Sequence, residues 1–444
     1  MPPVHVFARW RPLAESAAAH GEISRRALRD GGSLFSVSVS QQTPEETRPW
    51  TSSAAFRNIF EPEDDNYAVY TAVVAPVIPS VLGGEDCTFF AYGHSGSGKT
   101  HTILGYEFED DRQLGICLLA AKHLFDVLHR LNQEIPKEQA MCIGFSVFEL
   151  RRNTAFDLLN HRSPCHIREG PDGKVHIRGE TEILEGGKVR VRPIVQRMCP
   201  QYKDFRSELE LALQQRATGS SSIHDQSSRT HAVLQLEVVS QVLIDARKQV
   251  VECQAELVPV GKRAIDVLIE EESRACVRTP DGRFAPNPDY QKDQARINAI
   301  QAEKAQFEAK VAAAEQRVKS ILESSVTPAL GAKLVFVDLA GAEYYKESGA
   351  RPLGKNRTSQ ELQEGRQINS DLLALKEVMQ AWSQGSKRIP FRSSTLTMVL
   401  REHFAATNTG PSTIIATLSP ASDHFAATLN SLKYASLVGS ASSR

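Results

Sequence analysis

Paired cysteines and long apolar runs are both missing from this 444-residue chain. Its seven cysteines (Cys87, Cys117, Cys142, Cys165, Cys199, Cys253, Cys276) are odd in number, scattered, and never spaced as CxxC. That excludes a zinc ribbon and a disulfide framework and points to a reducing compartment. No apolar run approaches the roughly 18–20 residues a bilayer span needs, and the opening MPPVHVFARWRP lacks the apolar core of a signal peptide. An excess of either charge is absent too: 53 acidic residues face 52 basic ones, a net charge of -1. This argues against a generally basic nucleic-acid binder, though not against local basic patches. With 41% hydrophobic residues, collagen-like, mucin-like and largely disordered chains are excluded as well. The chain reads as soluble and intracellular, with neither nucleic acid nor membrane as a partner.

At roughly 100–200 residues per domain, the length allows two or three domains or one large α/β domain with insertions. Strand-like stretches fall at Val4 to Ala8, Ala55 to Phe60, Cys87 to Tyr92, Ile143 to Leu150, His231 to Leu243, Ala332 to Leu339 and Ser412 to Leu418. Helical spacing covers Tyr67 to Leu82 (interrupted by Pro76 and Pro79), Gly115 to Leu131, Leu209 to Ala217, Gln360 to Trp382, Thr395 to Phe404 and Ala426 to Leu437. Alternation of this kind predicts an α/β sheet covered by helices on both faces.

Residues 244–331 interrupt the rhythm, far exceeding the usual connection of ~4–6 residues. Their first part holds Pro259, Pro280, Pro286 and Pro288 and reads as loop and short elements. Their second part, Tyr290 to Glu323, lacks Pro and Gly and is rich in strong helix formers. Ile300, Phe307, Val311, Ala314, Val318 and Ile321 follow 3/4 spacing, with Lys304 off the pattern. Two readings stand: a helix packed on its own domain, or a short coiled-coil hairpin serving as a partner-binding arm.

Gly93-His94-Ser95-Gly96-Ser97-Gly98-Lys99-Thr100 matches GxxxxGK[ST], after an apolar strand and before a helix. Glycines let the backbone wrap phosphates with its N–H groups inward. Lys99 would reach the β/γ-phosphates and the Thr100 hydroxyl would ligate Mg²⁺. Ser227-Ser228-Arg229-Thr-His231 stands just before a strand, and Asp338-Leu-Ala-Gly341-Ala-Glu343 closes the strand KLVFV. An acid at that strand end suits a water-mediated Mg²⁺ contact. Gly341 lets a backbone N–H approach the γ-phosphate, and Arg229 with Glu343 could pair across the pocket.

At these residues the chain resembles the kinesin motor domain. GHSGSGKTHT is similar to that family's P-loop, QSSRTH to its switch I (SSRSH in most members) and DLAGAE to its switch II (DLAGSE). ARWRP, FSVFELRRNTAFDLL, EGRQINSDLLALKEVM, IPFRSSTLTMVLRE, TIIATLSPAS and TLNSLKYAS extend the likeness, in family order, over nearly everything but the insertion. The resemblance implies one domain spanning 1–444, a P-loop NTPase of the kinesin/myosin type: a central sheet flanked by helices, with 244–331 as a long, partly helical insertion. It implies a microtubule-stimulated ATP hydrolase using ATP/ADP and Mg²⁺, located on the cytoplasmic cytoskeleton. By position, Arg9, Arg11, Pro12 and His101 would frame the adenine. Ser228 would join Thr100 at Mg²⁺, Asp338 would hold it through water, and Ser227 and Gly341 would face the γ-phosphate. Arg229 and Glu343 would form a switch I–switch II salt bridge ordering the attacking water. The helix from Gln360 to Trp382 would lie on tubulin, an acidic surface. Candidate contacts are Lys346, Arg351, Lys355, Arg357, Lys387, Arg388, Arg392 and Arg401, with Lys174, Arg178, Lys188, Arg190, Arg192 and Arg197 as a second group.

Four positions depart from the family: His224 for Asn, Ala342 for Ser, Arg151-Arg152 for Tyr-Asn, and Ser370-Asp371 in the helix motif. None removes an expected phosphate or metal ligand, so hydrolysis is expected. Two alternatives remain in view: a kinesin-like microtubule tether with weak or uncoupled ATPase, and a P-loop kinase or helicase. No complete neck linker follows LVGSASSR, and the head is expected to be monomeric without a stalk.

Overall fold

The computed structural model describes residues 4–15, 21–29, 33–41, 49–106, 108, 110, 112–170, 173–217, 229–278, 282–342, 359–405 and 409–442. Its centre is a twelve-stranded mixed sheet. From one edge it runs Val189–Pro193 (β11), Val175–Ile183 (β10), Ser163–Glu169 (β9), Thr154–Asp157 (β8), Met141–Arg151 (β7), His231–Ser240 (β13) and Lys333–Asp338 (β16). Beyond these come Asp86–Tyr92 (β6), Thr409–Leu418 (β17), Val4–Trp10 (β1) and Asn58–Phe60 (β5), while Arg197–Cys199 (β12) pairs with β7. The half from β16 to β5 is parallel and the rest antiparallel. Two small sheets stand apart: Ser24–Arg29, Phe35–Ser40 and Trp50–Thr51 (β2–β4), and Cys276–Arg278 with Phe284–Pro286 (β14, β15).

The helices are Asn66–Val73 (α1), Ile78–Leu82 (α2), Lys99–Ile103 (α3), Ile116–Leu131 (α4), Tyr202–Ala217 (α5), Gln241–Arg274 (α6), Gln294–Glu323 (α7), Ser359–Ser383 (α8), Thr395–Val399 (α9), Arg401–Ala405 (α10) and Phe425–Ser442 (α11). Successive side chains of the central strands go to opposite faces, and both faces are buried. Phe89, Ala91, Leu334 and Phe336 join the core under α1 to α5. Phe90, Tyr92, Val335 and Val337 join the one under α8 to α11. This is the helix-covered sheet that the alternation predicts. Among the described residues no helix is long and apolar enough to cross a membrane.

Outside the insertion, one strand and one helix differ from expectation. The strand begun at His231 stops at Ser240, whose hydroxyl accepts the Leu243 N–H at 3.3 Å and starts α6. The helix expected from Thr395 to Phe404 is two short ones, divided at Leu400.

The proline-bearing first part of the insertion is corrected over its first half: up to Arg274 it belongs to α6, a 34-residue helix with Pro259 inside, while the described residues from Cys276 to Pro288 are the short strands β14 and β15 and loop, as expected. An interior proline costs roughly 3 kcal/mol, and tertiary packing outweighs it here. Half-buried Ile300, Lys304, Phe307, Val311, Val318 and Ile321, with buried Ala314, form the seam of α7. Cys253, Val260 and Ala264 are buried on α6, which packs extensively against α7. Lys304 therefore belongs to the half-buried seam, its ammonium paired with Glu308 at 3.2 Å. At the far end Glu271 is enclosed, accepting from the Tyr290 hydroxyl (2.7 Å), the Asp293 N–H (2.9 Å) and Arg296 (3.2 Å). At the near end ion pairs fasten α6 to the sheet: Arg247–Glu237 (2.7 Å), Arg190–Glu252 (2.6 Å) and Lys188–Glu256 (2.9 Å). The insertion is a two-helix hairpin, braced on β11 and β13.

Candidate nucleotide-binding site

The carboxyl ends of the parallel strands gather the site, where α/β sheets bind ligands. β6 delivers Gly93–Gly98 and then α3. Gly96 (φ 74°) and Gly98 (φ 102°) adopt left-handed backbone, and nothing lies within 4 Å of where a Gly96 side chain would begin. Both face a cavity of about 540 Å³ lined by Arg9, Arg11, Pro12, Lys99, Thr100, His101, Tyr106 and Gln113 among others. Gly93 is a glycine for the opposite reason: an added Cβ would lie 2.4 Å from the Thr417 carbonyl oxygen. Ser97 is buried with its hydroxyl 2.7 Å from that of Thr417. Ser95 borders Gly341, whose added Cβ would meet the Ser95 backbone at 2.5 Å, so the loop after β16 lies directly on the P-loop.

Lys99 is buried and donates to the carbonyls of Gly93 (3.2 Å) and His94 (2.8 Å). Burial pulls its ammonium down to about 8, Asp338 opposing and Arg216 reinforcing the shift. His94 is also buried, and its Nδ1 lies 2.7 Å from the Ser95 carbonyl oxygen. Burial first, then Lys99, His424 and Arg11, push the imidazole down to about 3, so it is neutral.

Asp338 ends β16. Its Oδ2 accepts from the Thr100 hydroxyl at 2.9 Å and from Arg216 at 2.9 Å, while buried Oδ1 has no partner among the described residues. A hydroxyl and a carboxylate in contact, with a spare buried oxygen, fit a hydrated Mg²⁺ held by few protein ligands. The open cradle at Gly96 and Gly98 fits phosphates. Arg216, at the end of α5, carries no signal in the sequence; only folding brings it 122 positions to Asp338.

At the other end of the cavity Arg9 is itself held by several partners. Its guanidinium donates to Asn66 (2.6 Å), Thr102 (2.9 Å) and the Asp64 carbonyl (3.3 Å), tying β1 to α1 and α3. Burial lowers it to about 10, against the pull of Asp64 and Asp65, so it stays a cation. Arg11 donates to Ser419 at 3.3 Å. His101 lies 5.2 Å from Tyr106, ring centre to ring centre. Asn66, Asp64, Tyr106 and Gln113 were invisible to motif reasoning because no spacing rule links them to the P-loop.

Ser227, Ser228 and Glu343 lie outside the described residues, as do His224, Lys346, Arg351, Lys355 and Arg357. Arg229 is described and lines a small cleft with Arg151, Arg152, His231, Glu364 and Asp371. On the outer surface Lys387 and Arg388 are exposed. Arg392 and Arg401 both bond Glu169 of β9, at 2.8 and 3.0 Å. In the second basic group, Lys188 and Arg190 hold α6, Arg192 pairs with Glu182 (2.6 Å), and Arg197 with Glu208 (3.4 Å).

A protein-family model described as the kinesin motor domain matches residues 9–260 and 306–440, passing over the distal half of the hairpin. Kinesin-like protein KIN-13A of Oryza sativa subsp. japonica is 27% identical over 440 residues, covering 99% of this chain and 41% of the relative. Human kinesin-like protein KIF24 is 25% identical over 442 residues, 99% of this chain and 24% of the relative. The chain thus spans less than half the length of either. Among solved structures, the motor domain of the Saccharomyces cerevisiae kinesin-related protein Kar3 superposes with a TM-score of 0.61 at 20% identity, over 98% of this chain and 99% of that one. A KIF14 dimer in complex with a microtubule, bearing AMP-PNP, gives 0.61 at 22% identity, over 98% and 93%. With the P-loop, the paired Thr100 and Asp338 and the sheet order all assembled, the chain belongs to the kinesin motor domain family.

Proposed function

We propose that this head is a microtubule-stimulated ATPase in which the γ-phosphate state of two loops sets affinity for the polymer. The observation that carries the reading is the Thr100–Asp338 contact at the mouth of the P-loop cavity. Gly93 to Thr100 would hold the phosphates, with Thr100, Ser228 and Asp338 holding Mg²⁺. Mg²⁺-ATP brings the reactive phosphoanhydride and the cation that neutralises its charge. Lys99 then supplies a buried positive charge, which acts more strongly than one in water. Arg11, Pro12 and His101 bound the base end, and Arg9 braces its wall. Ser227, Gly341, Arg229 and Glu343 keep the roles the resemblance implies. We treat 1–444 as one domain whose insertion, 244–331, is an accessory hairpin.

Turnover of ATP should rise at least tenfold on adding polymerised tubulin. A head that binds polymer yet stays at its basal rate would be a tether, and equal co-sedimentation in ADP and in a non-hydrolysable ATP analogue would say the same.

The polymer-facing surface is proposed to include Lys346, Lys355, Arg357, Lys387, Arg388, Arg392 and Arg401. Neutralising Arg388, Arg392 and Arg401 together should weaken polymer affinity and flatten its salt dependence, with basal turnover near normal. Glu169→Gln should act oppositely, because it frees two arginines: affinity should rise a few-fold, most clearly at low salt. Unchanged salt dependence in both variants would remove this face from the interface.

A further inference from the structure

Two departures from the family pattern, Arg151-Arg152 and Asp371, meet at one place in the fold. They line the same cleft behind the nucleotide site, together with Arg229, His231 and Glu364. Glu364 of α8 accepts from Arg151 at 2.7 Å and Arg152 at 3.4 Å. Asp371 follows seven residues later, two turns on and on the same face. The arginine pair therefore fixes the helix face that carries Asp371.

Asp371 is 3% exposed and opposes His231, also 3% exposed, with Oδ2 4.0 Å from Nε2. The other ring nitrogen of His231, Nδ1, accepts the Ala340 N–H at 3.1 Å. That bond puts the ring proton on Nε2, facing the carboxylate. Burial and the neighbouring Arg216 and Lys99 push the imidazole down to about 3, so it is a neutral donor. Its Nε2 has no hydrogen-bond partner among the described residues, a costly state for a buried polar atom. Ala340 immediately precedes Gly341, which lies on the P-loop. At 4.0 Å the carboxylate is roughly 1 Å beyond hydrogen-bond length, so a small approach of α8 toward β13 would complete the bond.

We infer that Asp371 is a positioning residue of the nucleotide site: through His231 it links α8, the helix expected on tubulin, to the Ala340–Gly341 backbone. The inference rests on the ATPase reading above and deepens it. The carboxylate orients the imidazole, the imidazole holds the Ala340 N–H, and Gly341 keeps its place on the P-loop. A displacement of α8 is thereby felt at the loop.

A purely structural role predicts something different. Burial raises the Asp371 carboxyl to about 6, against hydrogen bonds from Gln367 and Ser394. The charged groups around it are Arg229 beside β13, Arg151 at the end of β7 and Arg152 just after it, and Glu364 on its own helix, with His231 opposite. A carboxyl whose folded value lies above its ordinary 3.8 destabilises the fold above about pH 6 and not below about pH 4. At pH 7.5, Asp371→Asn should therefore raise Tm, while its amide oxygen keeps an acceptor opposite Nε2. Asp371→Leu removes the acceptor and the charge together.

The test compares wild type, Asp371→Asn and Asp371→Leu at pH 7.5. Readouts are Tm, ATP turnover with and without microtubules, and the ¹⁵N signature of His231 in the histidine-labelled head without polymer. We expect Leu to lower kcat about tenfold with KM for ATP within twofold, at a Tm no lower than wild type. It should also alter the His231 signal. Asn should restore kcat to within about threefold and keep the wild-type His231 signal. Normal kcat in the Leu variant, or an unchanged His231 signal, would overturn the inference. Absence of stimulated turnover in wild type would instead overturn the ATPase reading, and the ¹⁵N signal would still decide the contact.

Discussion

Replacing Lys99 with Met is expected to lower microtubule-stimulated ATP turnover by about 10²–10³-fold or more without unfolding the head. The ammonium is enclosed and, among the described residues, bonded to the carbonyls of Gly93 and His94. A thioether of similar length fills the same space, although it gives up the two hydrogen bonds to the loop carbonyls. In the proposed reaction the charge is needed opposite a polyphosphate, where a fixed, buried cation stabilises developing charge. Stability should move the other way from activity. The folded-state value near 8 lies below the ordinary 10.5, so the charged form is disfavoured by folding. That cost is fully present below about pH 8 and vanishes as pH rises past 10.5. The Met variant should therefore melt at or above the wild-type temperature at pH 7, with the difference shrinking above pH 8. Turnover and calorimetry together check this; wild-type turnover would exclude Lys99 from the reaction.

Arg216→Ala should be the most damaging single change for stability, costing about 3–5 kcal/mol. Arg216 is 5% exposed and Asp338 1% exposed, and they meet at 2.9 Å. Arg216 also donates to the Thr230 carbonyl at 3.1 Å, so it joins α5, β13 and β16. Among the described residues, truncation leaves the buried carboxylate with the Thr100 hydroxyl alone at Oδ2, and an unpaired buried charge is the expensive outcome. Adding Asp338→Asn to the alanine variant should recover part of the loss, because an amide carries no charge to strand. Denaturant titrations of the four forms measure the coupling. A coupling below about 1 kcal/mol would mean that water already screens the pair.

The loop proposed to bind phosphates could be read directly, since Gly93 to Thr100 is contiguous and follows a strand. Asp338 was legible for the same reason, lying at the end of KLVFV. What motif reasoning missed is made of single residues from distant segments: Arg216, Asn66 and Tyr106 have no spacing to betray them. Arg9 was placed at the right cavity but not with its partners Asn66 and Thr102. The departures Arg151, Arg152 and Asp371 stood out in the chain without any indication that Glu364 and His231 face them.

The insertion shows the same division from the other side. Helix-forming residues from Tyr290 onward marked α7 correctly, because local propensity and seam periodicity agree there. Pro259 pointed the other way in α6, and the local rule lost to packing against α7 and to ion pairs with β11 and β13. Those pairs also changed the meaning of basic Lys188 and Arg190, which hold the hairpin. Order along the chain thus decided the family, the covered sheet and the phosphate loop, each specified by residues close in sequence. Tertiary structure alone decided which charges are paired, because an ion pair depends on distance and burial, and neither is written in spacing.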